Sequence, residues 1–198
     1  VRYRVAAEDT LGASVAGPYP EDPQPNFAYF VYDAIPSWTG SARPGVQPNV
    51  TYSSELLESV PVYQLLTTRQ HHEDAMHIPN SPLGGYGGSE YRWQGTLVYD
   101  GEVYDHIRYR ARGGCWRYSM GKNMWKFDFN KGHYFQARDD YGEPYGTTWD
   151  KLNFSAIIQQ GNYWHRGEHG LFEAVGFKLF NLAGVESPYT NYIHFRIV

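Results

Sequence analysis

The dipeptide Asp100–Gly101 constrains this chain more than any other feature. It separates "YRWQGTLVYD" from "GEVYDHIRYRARGG", two runs in which apolar and polar residues alternate. Alternation at period two gives each strand one apolar face, and Asp-Gly adopts the left-handed backbone that a two-residue type I′ turn needs. The pair predicts an antiparallel hairpin, and with it a sheet that has one dry face and one wet face. "KNMWKFDF" and, after a polar excursion, "WDKLNF" extend the pattern into a largely antiparallel meander. "VPVYQLLT", residues 60–67, reads as a buried strand entered through a proline and followed by a polar loop, "TRQHHEDAMH".

One helix is expected over roughly residues 164–183, where Leu171, Val175 and Leu179 recur every four residues, Phe172 and Phe180 widen the stripe, and Gly184 ends it. Glycines at 167, 170 and 176 each cost about 1 kcal/mol of helicity relative to Ala, so packing of the stripe is expected to hold the helix. The fold class is therefore α+β, a largely antiparallel sheet with one main helix. Aromatic content supports it, since 18 Tyr, 10 Phe and 6 Trp in 198 residues favour strands.

Three regions follow from the punctuation of the chain. Residues 1–16 alternate and then turn at "DTLG", like the tail of an immunoglobulin- or fibronectin-like β-sandwich. Residues 17–50 hold most of the prolines around "FAYFVYDAIPSW" and read as a linker with one docking strand, its Tyr29, Phe30, Tyr32 and Trp38 packing on the following domain. Residues 51–198 read as the compact domain. The start in mid-strand and the strand pattern "YIHFRIV" at the other end read as cuts in a longer polypeptide.

A formal charge of −4 supplies no global field for nucleic acid or anionic membrane, so no nucleic-acid partner is expected. Cys115 is the only cysteine, which leaves no internal disulfide or cysteine-based metal cluster. No apolar run approaches the roughly 20 residues of a spanning helix, so no transmembrane segment is expected.

Four constellations bear on chemistry. "HHEDAMH" resembles a zinc site only superficially, because His72 and His77 are five apart and do not share a helix face. "LGGYGG", residues 83–88, lacks the Gly-Lys-Ser/Thr of a P-loop and the spacing of a kinase glycine loop. The third is more informative. Arg108, Arg110 and Arg112 fall on one face of their strand, Gly113–Gly114 frees backbone N–H groups, and Lys122 opens the next strand. Such a turn suits polyphosphate, with Lys122 as a point charge and the turn amides as directed donors; the alternative is a basic face balanced by the acidic loop "RDDYGE". Fourth, Glu168 stands on the same helical stripe as Leu171, Val175 and Leu179, and an inward carboxylate needs a cation such as Lys122 or Arg166. A strand lysine held by a helix glutamate is how protein kinases position the lysine on ATP phosphates.

"IRYRARGGCWRYSMGKNMWKFDF", "WDKLNF" and "HRGEHGLFEAVGFKLFNLAGVESPYTNYIHFRIV" together resemble the amino-terminal part of the spore coat protein H (CotH) kinase family, over roughly residues 55–198. The resemblance rests on the order and spacing of an Arg-Gly turn, a lysine-initiated strand, a Trp-x-Leu strand and a helix that ends at Gly before a strand. It implies the N-lobe of an atypical protein-kinase-like fold, in a secreted or surface-displayed bacterial protein that uses ATP with Mg or Mn to phosphorylate a protein substrate. Lys122, Arg112 and Gly113 match the family's motif, whereas Cys115 and Trp116 replace its small hydroxyl residues and Gly121 stands where a first lysine would be. The nucleotide-binding residues it implies are Lys122, Glu168, Arg112, Gly113, Gly114 and Arg110; the family's catalytic and metal-binding aspartates match no position here. A binding module without catalysis, stacking Trp93, Trp116 and Trp125 on sugar rings or a protein, is the alternative.

Overall fold

The computed structural model describes residues 1–41, 45–76, 91–112, 123–156 and 171–198. The chain opens with β1 (Arg2–Tyr3), β2 (Val5–Glu8) and β3 (Ser14–Gly17). β2 and β3 form a hairpin whose turn is held by Asp9, which accepts from the backbone N–H groups of Leu11 and Ala13. β4 (Phe27–Ala28) pairs back onto β1, and β5 (Trp38–Gly40) pairs with β6 (Val50–Tyr52). The short helix α1 (Ser54–Glu58) starts where the Ser53 hydroxyl accepts from the Leu56 N–H.

The main sheet begins at β7 (Val62–Leu66), as "VPVYQLLT" predicts, with Tyr63, Gln64 and Leu65 buried. Residues expected to form a polar loop after it instead make α2 (Arg69–Met76), because Thr68 caps the first turn through the His71 N–H and Ala75 is buried against the core. β8 (Trp93–Tyr99) and β9 (Glu102–Arg112) are joined by the expected turn, with φ of 52° at Asp100 and 77° at Gly101. β10 (Met124–Asp128) and β11 (Lys151–Phe154) complete the antiparallel run. After α3 (Leu171–Leu182), β12 (His194–Ile197) returns to lie parallel to β7.

The strand order is β11-β10-β9-β8-β7-β12. Inward residues are overwhelmingly aromatic: Tyr63 stacks on Tyr99 at 4.1 Å, and Phe127, Phe135 and Tyr109 are fully buried. β11 and β12 occupy opposite ends of the order, yet Phe154 and Phe195 meet edge to face at 5.0 Å. The sheet is therefore curled around its own aromatic side chains, and the opposite face is convex. The fold is α+β and mostly sheet, with three helices among the described residues.

Two packing expectations are overturned. The stripe of α3 does not enter the core: Leu171, Val175 and Leu179 are 52%, 50% and 61% exposed, and Phe172 and Phe180 are exposed as well. The curled sheet already fills its interior with its own rings, and on α3 it is Ala174 and Phe177, off the stripe, that are half-buried, with the Ser187 hydroxyl donating to the Phe177 carbonyl. A Schellman stop at Gly184, φ 76°, ends α3 where the sequence places its end. Of the linker aromatics expected to pack, Tyr29, Tyr32 and Trp38 are exposed. They meet nearby rings instead: Tyr29 packs edge-on to Tyr3 at 6.0 Å, Tyr32 stacks on Phe30 at 5.3 Å, and Trp38 stacks on Tyr52 at 5.7 Å.

The amino-terminal segment is fastened to the sheet by charge. Arg2 reaches Asp105 on β9 with Nε and Nη2 at 2.7 and 2.8 Å, and the Thr96 hydroxyl donates to the same carboxylate. Asp105 stands at a bulge where the pairing of β8 and β9 shifts between Gly95 and Leu97, and His106 beside it takes a left-handed φ of 52°.

Candidate functional site

Beyond the bulge at Asp105–His106 the pleat divides β9 cleanly. Ile107, Tyr109 and Ala111 point into the aromatic core, so Arg108, Arg110 and Arg112 stand together on the convex face, as period two predicts. β10 repeats the division, with Trp125 and Phe127 inward and Met124, Lys126 and Asp128 outward. Register then sets the neighbours: Arg112 opposes Met124, Arg110 opposes Lys126, and Arg108 opposes Asp128. On the far side of β10, Asn153 opposes Lys126 and Lys151 opposes Asp128.

Asp128 is the electrostatic centre of this face. Its side chain is 7% exposed, with Arg92 Nη1 at 3.2 Å and Lys126 Nζ at 3.9 Å. Asp128 Oδ1 and Arg92 Nε are buried without a hydrogen bond. At the rim, the hydrogen bond from Lys151 to Asp150 draws the Asp150 carboxyl below its usual range and lifts the Lys151 ammonium above its own.

The expected neutralisation by "RDDYGE" is not what the loop carboxylates do. Asp139 caps its own turn by accepting from Tyr141 and Glu143 N–H groups, Asp140 pairs with Lys178 at 3.2 Å, and Arg138 bonds Asp100. The loop is committed to the opposite end of the β8–β9 hairpin and to α3.

Of the residues expected at a nucleotide grip, Arg110 and Arg112 lie side by side on β9, whereas Gly113, Gly114, Lys122 and Glu168 lie outside the described residues, as do His77, residues 83–88, Cys115, Trp116 and Arg166. Arg92, Lys126, Asp128 and Lys151 were not singled out by sequence reasoning. The signal for two of them was present, since Lys126 and Asp128 alternate with Trp125 and Phe127 in "MWKFD". His72 stacks near Trp125, ring centroids 6.2 Å apart, and no group of three His, Cys, Asp or Glu side chains converges among the described residues. Trp125 is 5% exposed and Trp93 packs on the core, so neither offers a face to a sugar.

No protein-family model, curated protein or solved structure matches the chain. No helix among the described residues is long and apolar enough to cross a membrane.

Proposed function

We propose that this chain is the nucleotide-gripping portion of a CotH-like atypical protein kinase, which moves phosphate from ATP to a protein at or outside the bacterial surface. The observation that supports it is the delivery by β9 of Arg108, Arg110 and Arg112 on one face up to the point where Gly113–Gly114 follows, with β10 returning beside it. In this reading Arg110 and Arg112 present guanidinium forks to phosphate oxygens, the amides of Gly113 and Gly114 add directed donors, and Lys122, oriented by Glu168, adds a point charge. Phosphoryl transfer is catalysed mainly by positioning and charge, and bound Mg or Mn would neutralise charge between the phosphates. No described residue is assigned to the metal or to the acceptor hydroxyl, so nucleotide binding without turnover is expected of this chain.

Thermal unfolding with and without Mg-ATP tests the reading. A rise in midpoint at millimolar nucleotide, lost in both Lys122→Ala and Arg112→Ala, is the expected result. An unchanged midpoint, or one raised equally in the variants, would remove the kinase reading. A second reading, an extracellular carbohydrate-binding module, is favoured by the exposed Trp38–Tyr52 stack, and retention on polysaccharide columns lost in Trp38→Ala would support it.

A further inference from the structure

The convex face carries a charge opposite to that of the whole chain. Among the described residues its cations are Arg92, Arg108, Arg110, Arg112, Lys126 and Lys151, and the carboxylates beside them are Asp128 and Asp150, while the chain as a whole has a net charge of −4. Arg110 and Lys126 occupy directly opposed positions, an arrangement that costs stability between like charges. Asp128 cancels one of these charges and holds Arg92 and Lys126 in position through their ion pairs, which leaves the described part of the face with an excess of cations. Arg108 and Lys151 are open to solvent on either side of it.

We propose that the convex face formed by β10, β11 and the carboxyl-terminal half of β9, beyond the part covered by Arg2, is a docking surface for an acidic polypeptide segment in extended conformation. The spacing is the first argument. Alternate residues of a strand stand roughly 6.6–7 Å apart, so an extended peptide laid along β9 keeps step with Arg108 and Arg112, and its carboxylates can meet both. Residue type is the second, because four of the six cations are arginines, whose planar forks match carboxylates. The third is the preorganisation by Asp128, which reduces the ordering cost on association. Single-stranded nucleic acid fits less well, because it needs aromatic platforms between its cations. The uncharged outward residues of this face include Gln94, Met124 and Asn153, while Trp125, Phe127, Tyr109 and Phe154 all point inward. The proposal does not need the nucleotide reading, but both draw on Arg110 and Arg112, so an acidic peptide and a nucleotide would compete there; Arg108 and Lys151, the residues altered to test it, have no phosphate contact in the nucleotide reading.

The test uses the whole chain and a fluorescent peptide of alternating Glu and Ser, with an alternating Gln and Ser peptide and oligothymidylate as comparisons. Binding of the acidic peptide is expected to weaken roughly tenfold in the double variant R108Q/K151Q and to fall with added salt, while K131Q behaves as wild type. On the unaltered protein, the acidic peptide should protect Lys126 and Lys151, but not Lys131, from acetylation read by mass spectrometry. That second readout decides the matter if the double variant does not fold. Absence of salt-sensitive binding, absence of protection, equal binding of the Gln-Ser peptide, or oligothymidylate binding as tightly would each overturn the proposal.

Discussion

Arg2 and Asp105 form a pair whose two members should not be equivalent. Asp105 has no exposed side-chain surface, whereas Arg2 is 54% exposed. Arg2→Gln leaves a carboxylate sealed in the sheet with the Thr96 hydroxyl, the His106 N–H and the His106 ring at 3.1 Å as its remaining polar neighbours. Asp105→Asn leaves a guanidinium that water can hydrate. An uncompensated buried charge costs more than a lost charge-assisted bond, so we expect Arg2→Gln to lower stability by about 3 kcal/mol and Asp105→Asn by about 2 kcal/mol. The pH dependence adds a second signature. Burial alone would push the Asp105 carboxyl up, but the bonds from Arg2, Thr96 and His106 more than offset it and bring it from 3.8 to about 2. A carboxyl depressed in the folded state stabilises fully above its unfolded value and loses that contribution as pH falls through the folded one. Urea unfolding followed by tryptophan fluorescence should therefore show the gap between wild type and Asp105→Asn shrinking by roughly 2 kcal/mol between pH of about 5 and about 2. Asp105→Asn costing as much as Arg2→Gln, or a gap that ignores pH, would refute the account.

Further expectations concern the sheet and α3. A Cβ at Gly95 would meet Leu65 Cδ1 at 2.9 Å and both the Leu66 carbonyl oxygen and Tyr109 Cε1 at 3.1 Å, so Gly95→Ala should lose about 2 kcal/mol in the same urea assay. Phe195→Ala removes the ring that meets Phe154, Phe127 and Trp125 across the curl, and should cost about 3 kcal/mol. Leu179→Ser, on the exposed stripe, should change the unfolding free energy in the same urea assay by no more than about 0.5 kcal/mol, whereas a loss of several would mean that the stripe is packed. Gly184→Ala forces a side chain into left-handed backbone at the Schellman stop and should cost about 1 kcal/mol.

Local signals were legible wherever the chemistry was local. Asp100–Gly101 specified its turn because few residue pairs adopt that backbone, and alternation specified the two faces of β9 from Ile107 to Arg112, beyond the bulge at Asp105–His106. Gly184 marked the end of α3 for the same reason. α2 was missed because its sequence, RQHHEDAM, has no apolar stripe and is placed by a single cap and a single buried alanine. The stripe of α3 misled because periodicity reports which residues share a helix face and says nothing about whether that face has a partner. The candidate site divides along the same line. Arg108, Arg110 and Arg112 could be placed on one face from spacing alone, whereas their neighbours could not.

What the sequence by itself determined is the period, the turn at Asp100–Gly101 and the face on which residues of an unbulged strand segment lie, all of which follow from backbone geometry within a few residues. Tertiary structure alone decided that Lys126 sits opposite Arg110, that Arg92 reaches Asp128, that Phe154 and Phe195 close the curl, and that Arg2 finds Asp105. Each of these depends on pairing register or curvature, which are settled by how the aromatic side chains share one interior and leave no trace in any single segment.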